Sequence, residues 1–419
     1  MNLGRYCKFI ILGILLVINS GAFAQIMGHD FIEKLLKKHP ERFETILASP
    51  EKYQVQILYT KIDRNNRNEP KFATYGYGVN SNQYFYPAST VKLAIVALAL
   101  EKMNKLGLDI NTPMFIGKDR PSQTSVGVDT TSENGLPSVA HYCKKILLVS
   151  DNDAYNRLYE FLGQQWINDS LAAKGYTQSR ISHRLESGMS AEENRYTNPV
   201  VLNRKGKVNM AFEIPARYSE KTYWSKTPIL QGKGYINGSG ELVNEPFDFT
   251  QKNYFGLEDQ HKLLKSLYFP ASVPAKERFG LTEADYQFIY RYMSQFPVET
   301  SFPANYTDDY YDAYVKFLLF GATNTRLPRH IRLYNKSGNA YGFLLDNAYI
   351  ADFEKGIEFM VTAVIYCNDN EIFNDDTYQY DTVGLPFMAN LGKTLFEFEL
   401  SRKYKNRPDF GRFEVEYDK

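Results

Sequence analysis

The sequence predicts an α+β fold in which one antiparallel sheet draws its strands from both chain ends. Runs with strand character stand at 55–62 and 72–77 and return at 331–334, 342–351 and 357–366. The long middle of the chain reads largely as helices instead. A chain of this order buries its apolar faces if the late strands join the early ones, with helices packed on the sheet and a helical lobe inserted.

Taken in order, residues 31–47 supply a short helical lead with Ile32, Leu35 and Leu36 on one face. After the hairpin, Pro87 precedes a long helix in which Leu93, Val96, Ala97 and Leu100 recur at helical spacing, and Gly107 stops it. Residues 138–163 read as two helices broken at Ser150-Asp151-Asn152. From 197 to 255 the periodicity fails. The stretches 205–207, 231–240 and Glu245-Pro246 are turn-rich among scattered aromatics, as in an insertion with short strands. Helices are expected again at 257–267, 283–292 and 310–320, then three strands, then a closing helix from Pro386 carrying Phe387, Leu391, Leu395 and Phe398. The expected lobes are an α/β lobe (25–88 with 328–403) and a helical lobe (89–327, including the insertion at 200–256), with the site in the crevice between them.

The N-terminus has the marks of a secretory leader: Arg5 and Lys8, the apolar run 9–18, and Ala22-Phe23-Ala24 before Gln25. The run is short for a bilayer span, no stop-transfer pattern follows, and Cys7 precedes it. Residues 1–24 are therefore read as a signal peptide and 25–419 as the folded domain, exported across the inner membrane to the periplasm or beyond. The chain has 49 basic and 48 acidic side chains, and loss of Arg5 and Lys8 leaves 47 against 48. That balance argues against nucleic acid or a membrane surface as partner and for a small molecule or an extracytoplasmic polymer. A monomer is expected. Cys143 and Cys367 both sit in apolar runs and are expected as buried free thiols. Neither has ligand spacing with His and no HExxH pair occurs, so no metal and no cofactor is expected.

Three strings carry the chemistry: Ser89-Thr90-Val91-Lys92, Ser150-Asp151-Asn152 and Lys336-Ser337-Gly338. Ser89 and Lys92, three apart at a helix start, lie side by side on one face. A Ser hydroxyl needs a base to take its proton, and a desolvated Lys beside other cations has its pKa lowered toward that task. An isolated S-x-x-K is more often a capping Ser and a solvated Lys. Here Leu93-Ala94-Ile95-Val96-Ala97 make the helix apolar on every side, so a Lys within it needs a reason. Ser150 can relay a proton to a leaving nitrogen and Asn152 can hold an amide, while Asp151 suits an ordinary N-cap. Lys336, on an inner strand beside a groove, would supply charge for a carboxylate, Ser337 a hydrogen bond, and Gly338 room for a substrate along the strand. Alone, that string could be a strand-end turn.

In this order the strings match the S-x-x-K, S-D-N and K-[TS]-G set of active-site serine enzymes. With Tyr86-Pro87-Ala88-Ser89 and Lys336-Ser337-Gly338-Asn339-Ala340-Tyr341-Gly342 running on to Asp346-Asn347-Ala348, the chain resembles the penicillin-recognising serine enzymes, and within them the class A serine β-lactamases. The resemblance covers 55–199 and 257–400 and leaves 200–256 without a counterpart. It implies the α/β sandwich of the β-lactamase/transpeptidase type, with Ser89 as acylated nucleophile, Lys92 as its proton partner and Ser150 serving the leaving nitrogen. It further implies Asn152 at the acylamido side chain, Lys336 with Ser337 at the carboxylate, and the backbone N–H groups of Ser89 and Asn339 as oxyanion hole. The class A loop also carries a deacylating Glu in an E-x-x-x-N pattern. Arg184-Leu185-Glu186 resembles the approach to it, making Glu186 the candidate, but Ser190 stands where the Asn should be, and Glu192 and Glu193 are rivals on the same loop.

Three functions compete on this reading. The first is β-lactam hydrolysis through an acyl-enzyme. The second is a peptidoglycan D-alanyl-D-alanine carboxypeptidase or related amidase, which does not need the loop Glu. The third is a low-turnover binder of wall fragments.

Overall fold

The computed structural model describes residues 30–203, 211–307 and 309–419. The leader at 1–24 and the turn-rich 205–207 lie outside the described residues. The helical lead divides into α1 (Asp30–Leu36) and α2 (Pro40–Leu47) because Pro40 suits the first turn of a helix and not its interior. The hairpin follows as β1 (Gln56–Arg64) and β2 (Pro70–Tyr77). The helical section holds α3 (Val91–Leu106), α4 (Val139–Val149), α5 (Asn152–Leu162), α6 (Gln164–Ala173), α7 (Leu257–Tyr268) and α8 (Glu283–Ser294). Then come β3 (Ile331–Ala340), β4 (Phe343–Asp352), β5 (Ile357–Tyr366) and the closing α9 (Leu385–Ser401).

The five strands form one antiparallel sheet in the order β3-β4-β5-β1-β2, so the late strands do join the early hairpin, through β5 on β1. Strand alternation explains the layers. Phe359, Val361, Ala363 and Ile365 of β5 pack with Ile32 of α1 and with Leu391 and Leu395 of α9 on one face. Met360 and Val364 serve clusters on the other face, toward the helical section and the insertion. There α3 is buried without a break from Val91 to Met103, its charged Lys92, Glu101 and Lys102 included. The chain is thus an α+β molecule, as its sequence predicts.

Two expectations are corrected. Residues 310–320 do not form a helix; only Phe317–Phe320 is assigned as one, with Leu318 and Leu319 outside helical geometry. The backbone groups a helix would pair are taken by the sheet. The Val315 carbonyl accepts from Asn335 Nδ2 at 2.7 Å and Ser337 Oγ at 2.8 Å, and the N–H groups of Phe317 and Leu318 donate to Asp346 Oδ2 at 3.1 and 3.0 Å. The strand expected at 331–334 runs on to Ala340, so Lys336-Ser337-Gly338 lies within β3, and β3 is an edge strand rather than an inner one.

Between α6 and α7 the chain makes short strands. Val200–Asn203 pairs with Ala211–Ile214 and with Met114–Ile116, and Leu230–Gln231 pairs with Phe247–Asp248. Gly234–Ile236 pairs with Leu242–Val243 and, in parallel, with Ile372–Phe373 beyond β5. Cys143 and Cys367 are buried and unpaired. Among the described residues no helix is long and apolar enough to cross a membrane, and no group of His, Cys, Asp or Glu could hold a metal ion.

Candidate active site

Ser89 sits in the 3-10 turn Ala88–Thr90 that leads directly into α3. The turn is tight: Ala88 has φ +46°, and the Thr90 N–H and hydroxyl both donate to the Pro87 carbonyl, at 3.1 and 2.6 Å. Tyr84, Phe85, Tyr86 and Ala88 are buried in an aromatic cluster with Phe249 and Phe373, which fixes the approach to Ser89. Ser89 itself stays half-buried at the mouth of a cleft of about 460 Å³.

Edge strand β3 passes this turn at backbone contact. A Cβ on Gly338 would stand 2.5 Å from the Ser89 nitrogen and 3.0 Å from its Cα and Cβ. Glycine is therefore required here by the nearness of Ser89 itself, before any substrate is considered. We expect Gly338→Ala to push β3 off Ser89 and to lower any acylation there at least tenfold, a displacement effect of the size positional errors produce. Acylation at an unchanged rate in a folded Gly338→Ala protein would show that the two backbones can part without consequence.

Beneath Ser89 two buried lysines share one hydroxyl. Lys92, fully buried on α3, donates to the Ser150 carbonyl, to Ser150 Oγ at 3.2 Å and to Asn152 Oδ1 at 2.5 Å. Lys336 donates to the same Ser150 Oγ at 2.9 Å and to the Ser337 carbonyl at 2.8 Å. Ser150 reaches both because it caps α4 in the left-handed region at φ +62°, while Asp151 caps α5 by accepting the Ala154 N–H at 2.7 Å. Burial, then the neighbouring Lys336 ammonium, hold the Lys92 pKa well below that of a free lysine. Burial brings Lys336 down to about 7, against an opposing pull from Asp346.

The strings are brought together, with two departures from the expected arrangement. The Lys92 amine hydrogen-bonds to Ser150 and Asn152 and, among the described residues, not to the Ser89 hydroxyl. Ser337 faces away from the cleft: strand alternation puts its hydroxyl with Asn335, donating to Val315 O, on the face opposite Lys336. Its expected bond to a substrate carboxylate is not what this geometry offers. Asn339, exposed one residue past Gly338, lines the cleft beside Ser89.

Of the three loop carboxylates, Glu186 lines the cleft with Ser89 and the other two do not. Glu192 accepts from Arg195 at 2.7 Å and from the Tyr218 hydroxyl at 3.0 Å, and Glu193 accepts the Ser190 N–H at 2.9 Å. The loop is anchored from α5: Asn156 bonds the Leu185 carbonyl at 2.9 Å and N–H at 2.8 Å, and Glu160 pairs with Arg184 at 3.1 Å. Ten described non-glycine residues have positive φ, and five of them (Ala88, Glu186, Tyr341, Asn374 and Asp376) line this cleft. Strain gathered in this way is characteristic of sites whose geometry is held for a purpose.

The model of the Beta-lactamase enzyme family matches residues 40–397. The chain belongs to this family. Similar solved structures include the chromosome-encoded β-lactamase of Vibrio parahaemolyticus, at 12% identity and TM-score 0.47 over 85% of this chain and 98% of that one. An ancestral class A β-lactamase of Gram-negative bacteria gives 14% identity and TM-score 0.47 over 88% and 99%. The β-lactamase from Burkholderia phymatum gives 13% and 0.46 over 87% and 98%. The comparison with curated proteins gave no match.

In this member of the β-lactamase family, sequence reasoning passed over the anchors of the Glu186 loop. Asn152, Asn156 and Glu160 are spaced by four, a polar stripe on one face of α5, and that spacing was the available signal. Asn194 had none. It is buried, accepts the Arg184 N–H at 2.8 Å and donates to the Ser190 carbonyl at 2.9 Å, contacts that only the closed loop creates. His183 also lines the cleft, but enclosure pushes its imidazole down to about 4, which keeps it neutral.

Proposed function

We propose that the protein is an exported, periplasmic class A-like β-lactamase that opens the β-lactam amide through an acyl-enzyme at Ser89. What carries this reading is the Lys92–Ser150–Lys336 chain of hydrogen bonds beneath a nucleophile whose cleft also holds Glu186. Lys92, as the neutral amine, exchanges a bond to Ser150 or Asn152 for the Ser89 hydroxyl and accepts its proton as Oγ attacks the carbonyl, and the Ser89 and Asn339 N–H groups hold the oxyanion. The C–N bond then breaks, and the nitrogen takes its proton from Ser150 Oγ, which is resupplied by the Lys92 ammonium with the proton taken from Ser89. Water attacks the ester with Glu186 accepting its proton, and Ser89 leaves with its hydroxyl restored. Time-resolved mass spectrometry with a penicillin tests this: a transient adduct on Ser89 is expected, and no adduct at all would sink it.

One observation favours the carboxypeptidase reading as second. Ser190 accepts the Glu193 N–H at 3.1 Å and so belongs to the loop's own turn, leaving Glu186 without the partner that the family's Asn supplies for the water. A persistent adduct would mark that alternative.

Lys336 makes the reaction pH-dependent. Its ammonium, the form that attracts a substrate carboxylate, is present below a pKa of about 7 and is lost as pH rises through it. We expect acylation by carboxylate-bearing β-lactams to decline above that pH and acylation by a neutral ester analogue to escape the decline. Lys336→Arg, charged at every working pH, should move the falling limb upward. A limb that stays in place in Lys336→Arg would assign it to another group.

A further inference from the structure

We propose that the later part of the insertion, 229–256, is a recognition wall whose Lys252 binds an anionic group on the acyl side of the substrate. This inference rests on the acyl-enzyme reading for its sense of direction. Lys252 lines the cleft with Ser89, Tyr341 and Tyr378. Its ammonium lies 5.6 Å from the Phe247 ring centroid and 5.8 Å from that of Tyr341, and it makes no ion pair among the described residues. Glu186 and Asp376, the carboxylates of the same cleft, are not ion-paired with it among the described residues.

Its position is built and not incidental. The next residue, Asn253, is fully buried, and its Oδ1 accepts the N–H groups of Ser182 and His183 at 2.8 and 3.1 Å. The Asn253 carbonyl accepts the Tyr84 hydroxyl at 2.8 Å, and the Gln251 carbonyl accepts Ser182 Oγ at 2.9 Å. The end of the insertion is thereby tied both to the loop that carries Glu186 and to the approach to Ser89. Farther back, Gly234–Ile236 pairs with Ile372–Phe373, so the insertion and the segment after β5 form one wall.

The direction follows from β3. Gly338 touches Ser89; Lys336 lies two residues before it, and Tyr341, against which Lys252 rests, lies three residues after. Tyr341 stands in the turn just beyond Ala340, at φ +53°, so Lys336 and the residue that carries Lys252 fall on opposite sides of Gly338, and hence of Ser89, along this edge. A substrate laid along the edge with its leaving-group carboxylate at Lys336 presents its acyl side to Lys252. The preferred acyl donor therefore carries a negative charge at each end, as an acidic peptide does or a penicillin with a carboxylated side chain.

The test compares benzylpenicillin with its α-carboxy analogue on wild type, Lys252→Met and Lys252→Arg. Lys252→Met should slow acylation of Ser89 by the carboxylated compound about tenfold more than by the uncharged one, the size of one favourable charge contact, and Lys252→Arg should largely restore it. Equal slowing of both compounds, or of neither, overturns the proposal. The same pair is titrated calorimetrically into Ser89→Ala, where no bond can form. Tighter binding of the carboxylated compound, lost on adding Lys252→Met, supports Lys252. Equal affinities, or no binding of either compound, overturn it. Absence of any adduct on wild type would sink the acyl-enzyme reading alone, and the binding comparison would still decide the role of Lys252.

Discussion

Ser89→Ala abolishes covalent labelling by a fluorescent penicillin and leaves the protein folded. The Ser89 side chain is half-buried at the head of α3 and makes no hydrogen bond among the described residues, so its removal strands no buried partner. The melting transition should therefore stay within the shift of an ordinary surface substitution, ~0.5 kcal/mol. The loss of turnover should be on the order of 10⁶, the scale reached when a serine nucleophile is removed from a hydrolase. A second S-x-x-K, Ser49 to Lys52, offers no substitute: it lies in the short helix Pro50–Tyr53 and its neighbourhood, with Lys52 paired to Asp369 at 3.0 Å on the surface. Labelling that survives in Ser89→Ala would place the nucleophile elsewhere and end the mechanism.

What the sequence revealed of this site, and what it did not, has a physical pattern. Ser89, Lys92, Ser150, Asn152 and Lys336 were legible because each sits at a local landmark: a helix start after Pro87, a break between two helices, a strand of apolar residues. Lys92 stood out as a cation at the head of the apolar run Leu93 to Ala97, and it is fully buried. The orientation of Ser337 was not legible. Which face of an edge strand meets the cleft depends on what packs behind it, here the Val315 carbonyl, whose segment the helical periodicity misassigned. The same competition hid the non-helical path of 310–320, since local propensity cannot register a lysine such as Lys316 drawn into bonds with Leu333 O at 3.0 Å and Asn335 Oδ1 at 2.8 Å. Lys252 was invisible for a related reason. Nothing near it in sequence marks it, and it reaches the cleft only through the side chain of Asn253 and an aromatic cluster gathered from four distant segments.

Glu186→Gln should form the acyl-enzyme at a near-normal rate and then accumulate it, giving a burst without steady turnover. The glutamine keeps the shape of the side chain and the strained φ of +47°, and Asn156 and Asn194 hold the loop through backbone atoms of Leu185 and Arg184 that the substitution does not touch. What is lost is a carboxylate able to take a proton from the attacking water, worth about 10²–10⁴ in the deacylation rate. Because Ser190 is engaged with the Glu193 N–H, the water has one holder fewer, and modest turnover is expected even before the substitution. Glu192, committed to Arg195 and Tyr218, and Glu193, committed to its own turn, provide the control: their Gln variants should turn over as the unmodified protein does. Steady turnover in Glu186→Gln with trapping in one of the other two would shift the loop assignment by a few residues. Indifference of all three would remove the deacylating base from the loop altogether and leave a carboxypeptidase, whose acyl-enzyme β-lactams trap.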